Sequence, residues 1–379
     1  MKKLLIVTDT YFPKRDGVVV FLNKIIPHLA DRFEITILAP AYEEEMITLE
    51  NTRIIGLPIS KSLKLAGYHS IQLSSQNLKR IKTAVKEAEI VWSQDLATLG
   101  ALAIIYAKRC KIPSINYVHQ ITEEHLSDVL PLPGILKPFA HFLIRRFVKY
   151  IYNKCDMLLV PYKSLAYELA EKGIKTKKAV ITLGVDSEKF IPAQSKMIAK
   201  KFLGLDPRST VIGYCGRISK EKDIKTLMRA YISLKEFNKN IFLLLVGSGP
   251  KRDVQHIKER KDIKVTGFVS NVVPYLQAMD IFVLPSLTET TSLATIEAMS
   301  CSLPVIVTRV GYMKEYIKDR ENGMFFPRRN DYVLRRKIQK LIANEPARRM
   351  LGENARQTVL EQFSWSNTVK QIRKVLEMF

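Results

Sequence analysis

Short apolar runs rich in β-branched residues alternate with helical patterns along most of the chain. Continuous apolar runs of this kind are typical of strands buried on both faces of a parallel sheet, so the alternation predicts successive β-α-β units. A first cycle of predicted strands comprises Leu4–Val7, Ile35–Leu38, Ile90–Trp92, Ser114–Tyr117, Met157–Val160 and Ala179–Thr182. A second cycle comprises Val211–Tyr214, Ile241–Val246, Ile263–Thr266, Ile281–Leu284 and Pro304–Thr308.

A polar stretch from Pro192 to Ser209 separates the two cycles. With 379 residues, the chain is long enough for two domains that each bury a core. We therefore predict an α/β protein with two Rossmann-like, doubly wound domains that face each other across a cleft. The expected domains are residues 1–195 and 196–363, followed by a C-terminal helix in residues 364–379 that packs back toward the first domain.

The excess of positive charge restricts the possible partners. The chain has 60 Lys and Arg residues against 37 Asp and Glu residues, a net charge of +23 that favours contact with nucleic acid or an anionic membrane. The sequence has no zinc finger, no basic region followed by heptads and no strand motif with stacking aromatic residues, so no nucleic acid partner is expected. The four cysteines are scattered, which argues against a disulfide framework or a zinc site.

The apolar runs also bear on the compartment. None of them approaches the roughly 18 residues of a membrane-spanning helix, and the run that follows Lys3 is too short for the core of a signal peptide. We therefore expect a cytoplasmic protein.

One amphipathic stretch, Gly134–Lys154, contains no acidic residue. Large apolar side chains alternate there with cations that include Lys137, Arg145, Arg146 and Lys149. This pattern predicts a helix on a membrane surface, which would make the protein peripheral on the inner face of the membrane. The alternative is a helix that packs on its own domain and exposes a basic face to water.

Two glutamates eight positions apart form the strongest candidate site. Glu289 precedes a predicted helix, and Glu297 lies about a turn and a half inside it. Because Thr290–Ser292 are typical N-cap residues, we expect the amides of Leu293 and Ala294 to point toward an anion such as a diphosphate. Glu297 could then accept hydrogen bonds from ribose hydroxyls, and Glu289 from a sugar on the far phosphate. Two glutamates around a helix start also occur in α/β proteins that have no such site.

The loop Gly216–Asp223 follows the first predicted strand of the second domain. The guanidinium of Arg217 can donate two parallel hydrogen bonds, and Lys222 carries its charge on a compact ammonium group. At the carboxyl end of a strand, this pair suits a pyrophosphate whose charge must be neutralised as it leaves. A solvated basic loop is the alternative interpretation.

Taken in order, these motifs resemble the retaining glycosyltransferases of the GT-B fold, family 4, which share a Glu-x7-Glu pair and a Gly-Arg-x-x-x-x-Lys loop. The resemblance covers nearly the whole chain. Further landmarks are Tyr11–Pro13, Asp16–Val19, Gly184–Asp186, Phe190, Gly247–Pro250, Gly267–Phe268, Asn322–Gly323 and Phe363–Trp365.

The resemblance implies a role for each matched residue and no cofactor besides the nucleotide-sugar substrate. The implied roles are diphosphate binding for Arg217 and Lys222, ribose binding for Glu297, donor-sugar binding for Glu289, close approach to the phosphates at Gly17, contact near the anomeric carbon for His119, and backbone contact with the base at Phe268 and Val269. The sequence also departs from the family pattern. Ser292, Ser302 and Asp223 stand where glycine is usual, Lys314 stands where proline is frequent, and Ser93 replaces a frequent histidine.

The implied reaction is transfer of a hexose with retention of configuration, by front-face attack through a transition state with oxocarbenium character. Metal-dependent enzymes often carry an Asp-x-Asp element, which this sequence lacks, so we predict that no metal is needed. UDP-glucose and GDP-mannose are both possible donors.

The segment Asp9–Val19 and the basic stretch are most similar to members that glycosylate diacylglycerol-type or phosphatidylinositol-type lipids. We therefore expect a lipid acceptor at an anionic membrane surface, with a soluble sugar or oligosaccharide as the alternative. A sugar-nucleotide epimerase of the same fold and a basic nucleic-acid binder are the rival functions outside this class. A dinucleotide-dependent oxidoreductase is disfavoured, because Thr8–Pro13 lacks the Gly-x-Gly-x-x-Gly pattern expected after the first strand.

Overall fold

The computed structural model describes residues 1–12, 17–42, 52–65, 68–119, 137–250 and 260–379. The chain forms two compact units. Unit 1 contains Met1–Thr182 together with Thr368–Phe379, and unit 2 contains Leu183–Asn367. None of the helices in the described ranges combines the length and the apolar character needed to cross a membrane.

Unit 1 is built on an eight-stranded sheet. Its strands are β1 Lys2–Val7, β2 Phe33–Ala41, β3 Thr52–Leu65, β4 Tyr68–Ile71, β5 Ile90–Ser93, β6 Ser114–Tyr117, β7 Met157–Val160 and β8 Lys177–Val180. Its helices are α1 Gly17–Ile25, α2 Ser75–Glu87, α3 Thr98–Cys110, α4 Lys137–Tyr152 and α5 Lys163–Glu171, with a 3₁₀ turn at Ile26–His28.

The strand order in unit 1 is β4-β3-β2-β1-β5-β6-β7-β8. All neighbouring strands are parallel except β3 and β4, which are antiparallel. The chain moves outward from β1 in one direction through β2 and β3, and in the other direction from β5 onward. The switch point between β1 and β5 is where open α/β sheets place their ligands.

All six predicted strands of unit 1 are present, although β8 begins two residues before the predicted Ala179. Sequence reasoning missed β3 and β4. The run that forms β3 is interrupted by Gly56 and Pro58, two residues that normally weaken a strand assignment. Pairing with β2 on one side and β4 on the other compensates for this weak local preference.

Unit 2 is built on a six-stranded sheet. Its strands are β9 Thr210–Cys215, β10 Ile241–Val246, β11 Ile263–Val265, β12 Ile281–Leu284, β13 Val305–Thr308 and β14 Met324–Phe326. Its helices are α6 Lys196–Phe202, α7 Ile224–Phe237, α8 Val273–Ala278, α9 Leu293–Ser300, α10 Met313–Tyr316, α11 Asp331–Ala343 and α12 Glu345–Gln362, with a 3₁₀ turn at Lys220–Lys222.

The strand order in unit 2 is β11-β10-β9-β12-β13-β14, and all of its pairings are parallel. The five predicted strands are present, and the short edge strand β14 was missed. The switch point lies between β9 and β12. Each unit is thus a doubly wound, Rossmann-like α/β domain, as the alternation of apolar runs predicts.

The last helix, α13 (Trp365–Leu376), begins in unit 2, and its residues from Thr368 onward belong to unit 1. Its apolar face, which includes Ile372 and Leu376, is buried. The Arg373 guanidinium donates a hydrogen bond to the backbone oxygen of His28 and lies 2.6 Å from the Asp31 carboxylate. These contacts attach the end of the chain to the segment that follows α1.

Candidate active site

Two loops meet at the switch point of unit 2, one after β9 and one after β12. Lys222 from the first loop lies against Glu289 from the second, with 2.5 Å between the lysine Nζ and the glutamate Oε1. Ser286 donates a hydrogen bond of 2.7 Å to the same carboxylate oxygen. The Lys222 and Glu289 side chains are only 21% and 10% exposed, so this charge pair is largely shielded from water. Two candidates that lie 67 positions apart in the sequence are therefore in direct contact.

The second cation of the β9 loop, Arg217, is held by a carboxylate that the sequence analysis did not single out. Its guanidinium lies 2.7 Å from Glu221, which also accepts a hydrogen bond of 2.6 Å from Ser219. The backbone oxygen of Glu221 accepts the N–H of Leu287 at 2.8 Å, which ties the two loops together. Arg217 remains 54% exposed, so its guanidinium is accessible to a ligand. Glu221 stands in the same short loop as both cations, and this proximity in sequence is the signal that could have revealed the pair.

The protonation of Glu221 reflects its surroundings. Burial raises the pKa of its carboxyl, but hydrogen bonds from Ser219 and the backbone, together with the charges of Arg217 and Lys222, outweigh burial, so the pKa is lowered. The carboxyl therefore stays ionised and offsets part of the positive charge of the loop.

Close packing of two glycines shapes the start of this loop. Gly216 has a φ of 147° and Gly247, after β10, a φ of 139°. A Cβ on Gly247 would lie 1.9 Å from the Gly216 oxygen, so a side chain cannot be accommodated there. Tyr214 then donates a hydrogen bond of 2.7 Å to the backbone oxygen of Arg217. Burial, followed by the charge of Glu289, raises the pKa of this phenol, which therefore remains a donor.

The backbone around Glu289 is held by the connection between β13 and α10. Thr308 donates a hydrogen bond of 2.5 Å to the oxygen of Ser286, and the Tyr312 N–H donates one of 2.7 Å to Thr290. A Cβ on Gly311 would lie 2.2 Å from the Glu289 oxygen, so this approach requires glycine. The position of Glu289 is thus fixed from both sides of its loop.

The start of α9 differs in one respect from the prediction. Ser292 occupies the N-cap position, but its side chain does not cap a backbone amide. Its hydroxyl lies 2.8 Å from that of Thr295 instead. In the described parts of the chain, the amides of Leu293 and Ala294 have no hydrogen-bond acceptor, because the first helical bonds are donated by Thr295 and Ile296. These amides are available to an anion.

Glu297 lies half-buried within α9. Burial, followed by the negative charge of Glu297, raises the pKa of the Cys215 thiol to about 12. The charge of Glu289 acts in the same way on Tyr214, one residue earlier. Both glutamates therefore lie close enough to the carboxyl end of β9 to act on its last two side chains.

Three departures from the family pattern share one backbone conformation. Ser292, Ser302 and Asp223 have φ values of 57°, 56° and 45°. This left-handed region favours glycine and costs other residues roughly 1–2 kcal/mol. The family's usual glycines at these positions are explained by the backbone, which this chain retains with serine and aspartate.

The remaining candidates in unit 2 are Phe268 and Val269, which follow β11. Phe268 is 62% exposed, and Val269 packs against the core of the unit. A backbone bridge between Gly247 and Gly267 joins their loop to the end of β10. Their contact with a base stays a prediction.

Unit 1 contains two of the candidate residues, His119 and Gly17. His119 lies after β6, where its Nε2 is 3.0 Å from the Gln94 Oε1 and its ring stacks on Tyr117 at 4.3 Å. Burial lowers the pKa of His119 to about 3, so the imidazole is neutral at physiological pH. Gly17 is the first residue of α1, and a Cβ there would meet no atom of the described residues within 4 Å. Its proposed closeness to a phosphate stays a prediction, and residues 13–16 lie outside the described ranges.

The amphipathic stretch forms α4, and most of its large apolar side chains are exposed. We name the α4 surface for five apolar residues, Phe139, Phe142, Leu143, Phe147 and Tyr150, and three exposed cations, Arg145, Arg146 and Lys149. The apolar members are 45–63% exposed. Val148, Ile151 and Tyr152 are buried against the unit. The described part of α4 therefore packs against the unit through a few residues near its C-terminal end. Residues 134–136 and the side chain of Lys137 lie outside what the structure describes.

Within the described residues, no three His, Cys, Asp or Glu side chains are grouped in a way that could hold a metal ion.

Protein-family models match both units of the chain. The model for group 1 glycosyl transferases matches residues 195–358, and the model for glycosyltransferase family 4 matches residues 15–189. An alpha-monoglucosyldiacylglycerol synthase of Streptococcus pneumoniae is 23% identical over 84% of this chain and 74% of its own length. The synthase of that name from Acholeplasma laidlawii is 26% identical over 86% and 85%.

A solved structure of Anabaena HepE in complex with UDP-glucose shares the fold, with a TM-score of 0.81 and 16% identity over 100% of both chains. The predicted α/β class with Rossmann-like units and the predicted glycosyltransferase family are confirmed. The chain belongs to the group 1, family 4 glycosyltransferases and has their GT-B fold.

Proposed function

We propose that this glycosyltransferase moves a hexose from a UDP- or GDP-sugar to a hydroxyl group of a membrane glycerolipid, with retention of configuration. The observation that carries the proposal is the α4 surface, where exposed aromatic residues and cations lie side by side. The two diacylglycerol-acting relatives support the same acceptor class.

In the proposed donor site, Arg217, Lys222 and the first amides of α9 neutralise the diphosphate. Lys222 is oriented by Glu289, and Arg217 by Glu221. The hydroxyls of the donor sugar would donate to Glu289, and those of the ribose to Glu297. The positive charge needed to stabilise a departing diphosphate is thus supplied by side chains and a helix N-terminus.

In the proposed reaction, the bond between the anomeric carbon and the diphosphate oxygen breaks while the acceptor oxygen bonds to the same face of the sugar. The acceptor proton passes to the departing phosphate. His119 contributes hydrogen bonding and no charge, because its imidazole is neutral above pH ~4 (pKa about 3). No metal ion takes part in this scheme, so activity should survive EDTA.

The donor can be identified by thermal unfolding with UDP-glucose, GDP-mannose and UDP. A nucleotide at a hundred times its Kd stabilises the folded protein by about 2.7 kcal/mol. The acceptor is then tested with that donor, using mixed vesicles that contain diacylglycerol or phosphatidylinositol and, separately, soluble sugars. We expect a glycolipid product with the retained anomeric configuration. Transfer to soluble sugars alone would exclude the lipid acceptor, and epimerisation of the donor without transfer would exclude the transferase reaction.

Membrane contact has its own test, because charge and apolar surface contribute separately. We expect the protein to sediment with phosphatidylglycerol vesicles at moderate salt, and Arg145→Glu/Arg146→Glu to weaken this binding at least tenfold, since each basic residue near an anionic surface is worth about 1 kcal/mol. Lys79→Glu/Arg80→Glu is the matched control, because these exposed residues of α2 change the net charge equally without altering α4. Equal losses in the two variants would mean that only net charge matters, and the α4 surface would not be the contact.

A further inference from the structure

A buried glutamine lies directly against His119. Gln94 follows β5, is 0% exposed, and is anchored by a hydrogen bond of 2.9 Å from its N–H to the oxygen of Val7. Its Oε1 lies 3.0 Å from the His119 Nε2. This orientation of the amide assigns the proton of the neutral ring to Nε2 and leaves Nδ1 as the acceptor, because an amide oxygen can only accept a hydrogen bond.

The other contacts of the ring define its plane but not its tautomer. Tyr117 stacks on the imidazole with an interplanar angle of 24°, and Phe21 approaches it edge-on at 5.1 Å. Aromatic faces and edges do not distinguish a protonated from an unprotonated ring nitrogen as sharply as a hydrogen bond does. Among the described residues, Gln94 is the side chain that makes this distinction.

The stability of the fold does not account for a glutamine at this position. Its amide nitrogen is buried and has no hydrogen-bond partner within the described ranges. An unsatisfied buried donor usually costs a protein free energy, and a methionine of similar volume would avoid that cost. The amide oxygen that faces His119 is the polar contact that remains as a reason for keeping glutamine.

We propose that Gln94 is a positioning residue: by accepting the Nε2 proton, it holds His119 in one tautomer and keeps Nδ1 free to accept a hydrogen bond from a sugar hydroxyl. The second half of this proposal rests on the proposed transferase function. The first half concerns the ligand-free protein alone.

The tautomer is measured by nitrogen NMR of the ligand-free protein labelled with ¹⁵N-histidine at pH 8. The chain has six histidines, and His119→Asn identifies the relevant signals. We expect the wild type to show a protonated Nε2 and an unprotonated Nδ1. Gln94→Met, which keeps the volume and removes the acceptor, should give a mixture of tautomers or the opposite one. Gln94→Glu, which keeps an acceptor oxygen, should restore the wild-type pattern.

Kinetics and stability separate positioning from packing. For Gln94→Met we expect kcat to fall about 10- to 100-fold, the range found when an outer-shell partner of a metal-ligating histidine is removed, with KM for the donor much less affected. Its Tm should stay within a few degrees of the wild type, and Gln94→Glu should recover most of kcat.

Asn116→Ala is the matched control, because Asn116 is an equally buried amide that donates to Ser93 and Asp95. It should lower Tm without changing the His119 tautomer. The proposal is overturned if Gln94→Met keeps the wild-type tautomer, or if Asn116→Ala alters that tautomer equally. If the tautomer depends on Gln94 but the wild type transfers no sugar, the proposed function fails and the positioning contact stands.

Discussion

The two units share one feature, a helix that starts beside the switch point of a parallel sheet, but they treat its N-terminus differently. In unit 1, the Asp9 carboxylate accepts the N–H groups of Leu99 at 2.8 Å and Gly100 at 3.0 Å, in the first turn of α3. In unit 2, Ser292 opens α9 without capping it. Unit 1 therefore satisfies its helix with its own carboxylate, whereas unit 2 leaves the first amides of α9 to another acceptor.

The loops that follow the strands near the two switch points also differ in the charge of their side chains. Unit 2 presents Arg217 and Lys222, each paired with a carboxylate. Unit 1 presents the neutral His119 after β6 and the amide of Gln94 after β5, while the carboxylate of Asp9 is bonded to the amides of α3. The same architecture thus presents cations in unit 2 and, beside a capped helix, uncharged polar groups in unit 1. The chemistry of each site depends on the loop residues, not on the order of the strands.

The largest expected effect is loss of turnover in unit 2. Lys222→Met and Glu289→Gln should each lower kcat by about 10²–10³-fold, because each removes a group that we assign to the donor site. Lys220→Met is the control, since this exposed lysine lies in the same loop and should retain nearly full activity. Steady-state kinetics on variants with unchanged thermal unfolding checks this. A kcat close to the wild-type value in both variants would mean that the charged pair of unit 2 has no role in turnover.

The next effect concerns the neutral histidine of unit 1. The pKa of His119 is lowered from 6.5 to about 3 in the folded protein, so the unfolded chain binds a proton first as the pH falls. The neutral His119 ring therefore makes its full contribution to the free energy of unfolding above pH 6.5. This contribution is lost progressively as the pH falls toward 3, and about 2 kcal/mol of it is lost by pH 5. Urea unfolding at pH 7 and pH 5 should show a larger loss for the wild type than for His119→Asn. Equal losses would mean that the ring is not held neutral.

A smaller effect compares the two helix starts directly. Asp9→Ala should lower the free energy of unfolding by about 1 kcal/mol, the usual value of a lost N-cap. Ser292→Ala should cost less than about 0.5 kcal/mol, because this hydroxyl does not bond to a backbone amide. Thermal unfolding of both variants provides the measurement. If the two losses were equal, Ser292 would act as a cap and the contrast would disappear.

The smallest effect tests whether the backbone shapes the start of α9. Ser292 has a φ of 57°, so Ser292→Gly should stabilise the protein by about 0.5 kcal/mol, after the greater freedom of glycine in the unfolded chain is deducted. The hydroxyl is not assigned to the donor site, so kcat should be retained. A destabilised or inactive Ser292→Gly variant would give the serine side chain a role that its contacts do not indicate.

Sequence patterns predicted most of the strands, both cycles of β-α-β units and the family. They also pointed to Glu289, Glu297, Arg217 and Lys222 as candidates. The residues that contact these candidates were harder to predict from sequence. Glu221 stands inside the Gly216–Asp223 loop and could have been found as a carboxylate close in sequence to both cations, whereas Gln94 carries no sequence signal, because a glutamine after a strand is common.

The roles of the candidate residues stay predictions, whereas several of their contacts are now described. The family's glycine positions illustrate the division between pattern and structure. A motif shows that Ser292, Ser302 and Asp223 replace glycine, but the backbone angles explain why glycine is usual there.

By itself, the sequence determined the order of strands and helices and the division into two similar halves. These features follow from local patterns of apolar and polar residues, which each segment carries independently of the others. The tertiary structure alone decided that Lys222 contacts Glu289, that Asp9 caps α3 while α9 stays uncapped, and that His119 is neutral. Such properties depend on distances between segments far apart in the chain and on the removal of water from around a charge, and neither is encoded in a local pattern.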